Sequence, residues 1–251
     1  MKNPIWTRGL RLWVQGLALF ALRFVQLRTG FDPDTGLARA SAPGLALVIL
    51  LLLCAASEFY LCTRVPSGKH SYRSFLDTPQ GGHLPFLAAG SLLLGAGAVL
   101  LPGWGALKIA AAVTGVAAAG GILLFVRSLR SGEETKPFQL LPAMFFSAVF
   151  VLVIYLPEDH DPVLERYYLP VLAAGLIACA FYQLTGLTCR EGKSRWFVLF
   201  GNMAVVTSIA AAADCVGDLG RLLIYLGSAV LLTAFLLTRR EALLPEPEEE
   251  A

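Results

Sequence analysis

The chain has 251 residues, of which 56% are hydrophobic and only 15% are charged. Charged residues make up about a quarter of a typical water-soluble domain, so this composition excludes such a domain and indicates an integral membrane protein. The net charge is +2 and the basic residues are spread along the chain, so no nucleic-acid partner is expected. The five cysteines are far apart and form no Cys-x-x-Cys pair, which argues against a disulfide framework or a zinc site.

Eight apolar stretches approach the length of about 20 residues that a helix needs to cross roughly 30 Å of hydrocarbon. They are unbroken apolar runs, which are typical of helices and not of alternating β-strands. We therefore predict an all-α helix bundle in one transmembrane domain, residues 1–238, with spans at about 9–27, 43–62, 84–101, 106–126, 138–156, 166–187, 196–214 and 219–238. The acidic residues 239–251 are predicted to form a short disordered cytoplasmic tail.

The first stretch, "LWVQGLALFALRFVQL", follows Lys2, Arg8 and Arg11 and has some features of a signal peptide. The nearest small-x-small sequence, Ala38-Arg39-Ala40, lies too far beyond the apolar region for normal cleavage, so we expect the segment to be retained as an anchor. Its polar residues share one broad helical face, which also fits a helix lying flat on the membrane. We favour a spanning helix, because an interfacial one would place every later basic loop outside the cell.

The basic residues support this segmentation, since cytoplasmic loops collect Lys and Arg. Most of the basic residues lie in the two termini and in every second loop between the spans. Both termini are therefore predicted to be cytoplasmic. The basic residues on this side are Lys2, Arg8, Arg11, Arg64, Lys69, Arg73, Arg127, Arg130, Lys136, Arg190, Lys193, Arg195, Arg239 and Arg240.

The ionisable residues of the spans lie near the span ends. We expect Glu58, Lys108 and Asp214 to snorkel or to form interfacial pairs, and Asp218 and Arg221 to pair locally because they are three residues apart. The remaining polar side chains suggest a polar path through the bundle, with hydrogen bonding between helices as the alternative. The residues of this path are Gln15, Arg23, Gln26, Asn202, Thr207 and Ser208.

The third and fourth spans are joined only by "PGWG" and must be antiparallel neighbours. Small residues in both, including Gly95, Gly115 and Ala119, predict a close approach of the two helices. Gly227 and Ser228 lack the rest of a nucleophile motif and are interpreted as a packing pair.

The motifs of intramembrane hydrolases, HExxH, Gly-x-Gly-Asp and Gly-x-Ser-x-Gly, are absent from the sequence. We therefore predict no enzyme and assign no catalytic, cofactor-binding or metal-binding residue. In "TGFDPDTG", Asp32 and Asp34 have the spacing of the first two ligands of a calcium-binding loop. The terminal glutamate of such a loop is missing, and we interpret the segment as a turn fixed by its proline. In "LPEDHDPVLERYYLP", His160 stands between two aspartates in a solvated outer loop, with weak cation binding as the alternative.

At "LRFVQLRTGFDPDTGL" and "HDPVLERYYLPVLAAGLIACAFYQLTGLTCREGKSR", the chain resembles a group of uncharacterised multi-pass membrane proteins of clostridia-type bacteria. The resemblance concerns the loop sequences and the arrangement of the spans, and it implies a multi-pass protein of the bacterial inner membrane. That group has no assigned activity, so the resemblance implies no site residues.

Two functions are consistent with these features. The first is a transport-related or channel-like component of the lipid bilayer. Because the sequence has no nucleotide-binding loop, an energised transporter would need a separate ATPase as its partner. The alternative is a non-catalytic subunit that assembles with or regulates a partner membrane protein.

Overall fold

In a computed structural model, the described part of the chain is all-helical and contains no strand. It comprises residues 4–32, 37, 39, 41–65, 68, 71–76, 83–101, 105–131, 137–158 and 164–239. The α-helices are α1 (Pro4–Thr29), α2 (Ala42–Cys62), α3 (Tyr72–Phe75), α4 (Leu84–Val99), α5 (Ala106–Ser131), α6 (Leu141–Glu158), α7 (Leu164–Thr188), α8 (Ser194–Ala211) and α9 (Leu219–Leu237). Short 3-10 turns precede α6 and follow α8.

Each predicted span coincides with one of these helices, which confirms the all-α class. Six of the described helices, α1, α2, α5, α7, α8 and α9, are long and apolar enough to cross a membrane. The other two spans correspond to the shorter apolar helices Leu84–Val99 and Leu141–Leu156. The predicted tail beyond Arg239 lies outside the described residues.

Six helices form a ring in which each packs against the next, in the order α4, α5, α6, α7, α8 and α9, with α9 returning to α4. Aromatic side chains fill its centre. The Tyr225 ring on α9 packs edge-on against Phe150 on α6 at a centroid distance of 5.4 Å, and its hydroxyl donates to the Pro170 carbonyl on α7 at 2.9 Å. Both aromatic rings are fully buried, so the packing of aromatic side chains occupies the centre of the six-helix ring.

The other two long helices, α1 and α2, pack against each other and against α8 outside the ring. We call them the outer pair. The indole nitrogen of Trp13 on α1 also donates to the Thr233 hydroxyl on α9 at 3.2 Å. α8 is therefore enclosed between the outer pair and the other helices of the ring. In its apolar 18-residue stretch, 89% of the residues are buried.

Glycines bring α4 close to α9. A Cβ atom at Gly90 would lie 2.8 Å from the backbone nitrogen of Leu231, and one at Gly97 would lie 2.8 Å from the Gly220 carbonyl oxygen. The predicted contact between the third and fourth spans is confirmed, because a Cβ atom at Gly95 on α4 would lie 2.9 Å from the Ala119 Cβ on α5. The predicted packing role of Gly227 is also confirmed, against α4.

One end of the bundle holds the starts of α1, α4 and α8 and the ends of α2 and α9, and we call it the basic end. The segment after α2 covers part of it. Arg195, at the start of α8, donates to the carbonyl oxygens of Thr63 and Val65, and the Phe75 ring packs edge-on against Phe197 at 5.9 Å. This covering segment forms one wall of a cavity between the outer pair and the ring.

Candidate functional site between the outer pair and the ring

The basic-end cluster consists of Arg11, Gln15, Glu58 and Asn202, and it joins α1, α2 and α8. Arg11 and Asn202 both donate to the same Glu58 carboxylate oxygen, each at 2.8 Å. The Glu58 side chain is fully enclosed, whereas that of Arg11 is 35% exposed. Gln15 donates to Ser57, next to Glu58, at 3.5 Å. A carboxylate enclosed among apolar helices is thus stabilised by one cation and one neutral donor from two different helices.

The opposite-end cluster consists of Arg23, Gln26 and Asp214. Arg23 donates through Nε and Nη2 to the Asp214 carboxylate, at 2.5–3.1 Å, and through Nη1 to the Gln26 side-chain oxygen at 2.8 Å. The Arg23 side chain is fully enclosed and that of Asp214 is 9% exposed. The guanidinium also lies 5.3 Å from the centroid of the Tyr168 ring. This bidentate pair is among the strongest hydrogen-bonded geometries available to side chains, and it links α1 to the 3-10 turn that follows α8.

We predicted that Glu58 and Asp214 would snorkel or form interfacial pairs. Both form ion pairs, with Arg11 and Arg23 of α1, but the Glu58 side chain has no exposed surface and does not snorkel. The predicted local pair of Asp218 and Arg221 is confirmed at 3.0 Å. The sequence did contain one signal for the cross-helix pairs, since α1 has an arginine near each end and the other spans supply one acidic residue for each.

An apolar layer of Gly16, Leu19, Val206 and Ile209 separates the two clusters. Arg11 and Arg23 are twelve residues apart on α1, which corresponds to about 18 Å along the helix. Between them, a Cβ atom at Gly16 would lie 2.8 Å from the Ile209 side chain, so α1 and α8 are in close contact there. Leu19, Val206 and Ile209 are at most 2% exposed. These buried apolar residues therefore lie between the two clusters along α1 and α8.

A cavity lies beside each cluster. The basic-end cavity, about 420 Å³, is lined by residues of the outer pair, α8, α9 and the segment after α2, including Arg11 and Asn202. The opposite-end cavity, about 540 Å³, is lined by residues near the end of α1, on α6, α7 and α9, and in or just after the 3-10 turn that follows α8, which includes Asp214. Both volumes are in the range of small-molecule sites.

The six residues of the predicted polar path are divided between these places. Gln15 and Asn202 belong to the basic-end cluster, and Arg23 and Gln26 to the opposite-end cluster. Thr207 donates to its own helix at the Met203 carbonyl (2.8 Å), and it is two residues from Ile209, which places it on the opposite side of α8 from α1. Ser208 is also enclosed in the bundle. A path through all six residues remains a prediction that requires a second conformation.

Among the described residues, no group of three or more His, Cys, Asp and Glu is placed to hold a metal ion. Asp32, in the first acidic loop, pairs with Arg39 at 2.6 Å on the surface. Asp34 and the loop around His160 lie outside the described residues. Comparison of the chain with protein-family models, with curated proteins and with solved structures finds no match.

Proposed function

We propose that the chain crosses the cell membrane eight times, with both termini in the cytoplasm. Two observations support this topology. The shorter helices α4 and α6 each pack between two of the longer spans in the ring, and the basic loops alternate as cytoplasmic loops do. A short helix of this kind is accommodated by local thinning of the bilayer or by interfacial side chains.

We further propose that the protein is a transport-related membrane component in a closed conformation. The observation that carries this proposal is the pair of cavities at the two ends of one helix interface, each beside an ion pair that has at least one fully enclosed side chain. Ionisable groups enclosed between membrane helices are costly and usually mark a substrate or ion route. The two cavities would be the entrances of that route, and the apolar layer would be its barrier.

In this proposal the outer pair moves against the six-helix ring. The ring has a packed aromatic centre, whereas α1 and α2 are attached to it mainly through α8 and the two polar clusters. Separation at either end requires that the ion pair there be solvated by water or by the transported solute. The two pairs would therefore act as latches, each of which opens only when its own cavity is occupied.

The chain contains no nucleotide-binding loop, so the movement would be passive or driven by a separate ATPase. The alternative, a non-catalytic subunit of a partner membrane protein, does not require the outer pair to move. The two functions therefore differ in whether water ever reaches the apolar layer.

The test uses two adjacent residues of α8 at the same depth. Val206 is four residues after Asn202 and three before Ile209, so it shares the face toward α1, while Thr207 lies on the other side. Both side chains are fully enclosed. In a chain whose five native cysteines are replaced by alanine, Val206→Cys and Thr207→Cys are reconstituted in liposomes and treated with a charged, membrane-impermeant methanethiosulfonate reagent.

A transport route along α1 predicts slow labelling of the cysteine at position 206, several-fold faster than at position 207. Labelling at neither position would refute the route and favour the subunit function. Equal labelling at both would also refute it, because it would indicate a generally loosened bundle and not a route along one face. Unfolded protein, in which both cysteines react at once, gives the upper limit of each rate.

A further inference from the structure

The two ion pairs of α1 differ in how easily the arginine can be released. Arg23 is fully enclosed and donates to Asp214 through two nitrogens. Arg11 is 35% exposed, donates to Glu58 through Nη2, and lines the basic-end cavity. If its carboxylate lost its charge, Arg11 could turn its guanidinium toward water in that cavity, as long cationic side chains do at polar boundaries. The basic-end pair is therefore the one that can open without leaving an enclosed charge unpaired.

One oxygen of Glu58 is left without a hydrogen bond. The bonds from Arg11 and Asn202 both end at Oε2, and Oε1 is buried without a partner among the described residues. The Oε1 atom of Gln15, in the same cluster, is buried without a partner as well. An unsatisfied oxygen away from water is costly, and most of all when it carries charge. The cluster thus has an excess of acceptor oxygens, which one added hydrogen can relieve.

A proton is the ligand that fits this place. The Glu58 side chain has no exposed surface, which leaves no room beside Oε1 for a water molecule or a metal ion, whereas a proton needs none. The Gln15 amide also approaches the Glu58 carboxyl. An amide carries a donor that serves the carboxylate and an acceptor that serves the carboxylic acid, so this neighbour suits both forms. Enclosed glutamates in membrane proteins are recurrent members of proton relays.

We propose that Glu58 is a reversible proton-binding site that opens to the basic-end cavity through Arg11. A hydronium ion in the cavity gives its proton to Oε1 and leaves as water. The carboxylate becomes a neutral acid, and Arg11 turns from Oε2 toward the cavity. The charge of the cluster rises by one, and the guanidinium carries that charge in contact with water. In the proposed topology this exchange takes place with the cytoplasm.

The ionisable groups around Glu58 come from three helices. They are Arg11 on α1, Cys54 and Cys62 on α2 itself, and, next to Cys62, Arg195 at the start of α8. The cavity is also lined by Arg8, Arg64 and Arg239. Among the described residues, Arg11 is the cation that donates directly to the Glu58 carboxyl, so it is the group that must move when the proton binds.

This inference goes beyond the proposed function, because proton binding at equilibrium requires neither transport nor movement of the outer pair. The test is infrared spectroscopy of the purified full-length chain in liposomes, over the pH range in which tryptophan fluorescence shows it to be folded. The carbonyl stretching band of a carboxylic acid should grow as the pH falls, and Glu58→Gln should lose part of that growth. The matched control, Glu191→Gln, removes an exposed glutamate from the connection between α7 and α8 and should retain the Glu58 part.

A second variant, Arg11→Gln, keeps Glu58 and removes its cation, so the test does not depend on the folding of Glu58→Gln alone. Its acid band should persist at the highest pH, where the native chain has none, because an enclosed carboxylate without a paired cation is costly.

Equal acid bands in the native chain and in Glu58→Gln at every pH would overturn the proposal, because Glu58 would then keep its charge throughout. A Glu58 band that does not change with pH would overturn it too, since the site would not exchange its proton. So would the absence of an acid band from Arg11→Gln at the highest pH, because the charge of Glu58 would then not depend on Arg11. None of these results bears on the route along α1, which the cysteine at position 206 tests separately.

Discussion

Replacing Asp214 with asparagine removes the carboxylate charge that accepts hydrogen bonds from the enclosed guanidinium of Arg23, while it keeps the shape of the side chain. The Arg23 side chain has no exposed surface, so neither water nor a rotamer change can compensate at low cost. Removing one partner of a buried ion pair costs about 3–5 kcal/mol. For a chain of this size, 1 kcal/mol corresponds to about 2–4 °C in Tm, so the expected decrease is on the order of 6–20 °C.

The surface pair of Arg39 and Asp32 provides the control, since its side chains are 61% and 23% exposed and its N–O distance is 2.6 Å. Arg39→Gln should cost about 0–1 kcal/mol, because exposed ion pairs contribute little. The double variant Arg23→Met/Asp214→Asn removes both charges and should be more stable than Asp214→Asn alone, since no uncompensated charge remains.

The assay is thermal unfolding of the purified full-length protein in one detergent, followed by tryptophan fluorescence at a fixed scan rate. A Tm for Asp214→Asn within about 2 °C of that for Arg39→Gln would refute the reasoning, because 2 °C is below the smallest shift expected of a desolvated pair. A double variant less stable than Asp214→Asn alone would refute it too, because the single variant would then not suffer from an unpaired charge.

Three further results are expected. Glu58→Gln should lower the Tm by less than Asp214→Asn does, because its arginine partner is partly exposed to a cavity and can be solvated by water; an equal or larger decrease would contradict this. Gly90→Ala should destabilise the protein by roughly 1–3 kcal/mol in the same assay, because the added Cβ atom would force α4 and α9 apart. Gly120→Ala should not, because a Cβ atom added there has no neighbouring atom within 4 Å. In intact cells, a membrane-impermeant maleimide should label Val216→Cys but reach Cys189 only after permeabilisation, each tested as the single cysteine; the reverse pattern would invert the topology.

The maleimide experiment uses position 216 because the native Cys215 is buried. Cys215 lies at the same end as Val216 but is only 4% exposed, whereas Val216 is 83% exposed. A maleimide that failed to reach the native Cys215 would report its packing and not its side of the membrane. A cysteine at the exposed position 216 reports only the side of the membrane.

Hydropathy located the helices well because an apolar run of this length has few other stable structures in a membrane. It does not give the helix ends. The fourth span was predicted at about 106–126, and helix α5 continues to Ser131, past Arg127 and Arg130. Hydropathy records where a chain leaves the hydrocarbon, and the helix ends only where its hydrogen bonding stops.

The partners of the helices were harder to predict, because a side chain in the sequence does not indicate what it faces. Arg23 and Asp214 are 191 residues apart, and nothing near either one identifies the other. Asp218 and Arg221 could be predicted because helical geometry alone brings them together. Likewise, the short "PGWG" connection predicted that α4 and α5 are neighbours, but the glycines of α4 do not show in the sequence that α4 also packs closely against α9.

The separation of the ion-pair partners along the chain also has a consequence for biogenesis. Ribosomes add about 5–20 residues per second, so Asp214 is made about 10–40 s after Arg23. Asn202 follows Glu58 by 144 residues and is delayed similarly. During that interval the first two helices are already made while α8, which provides their binding surface, is not. Their polar side chains must then be sheltered by the insertion machinery, by lipid headgroups or by each other, and stable docking of α1 and α2 comes at the end of synthesis.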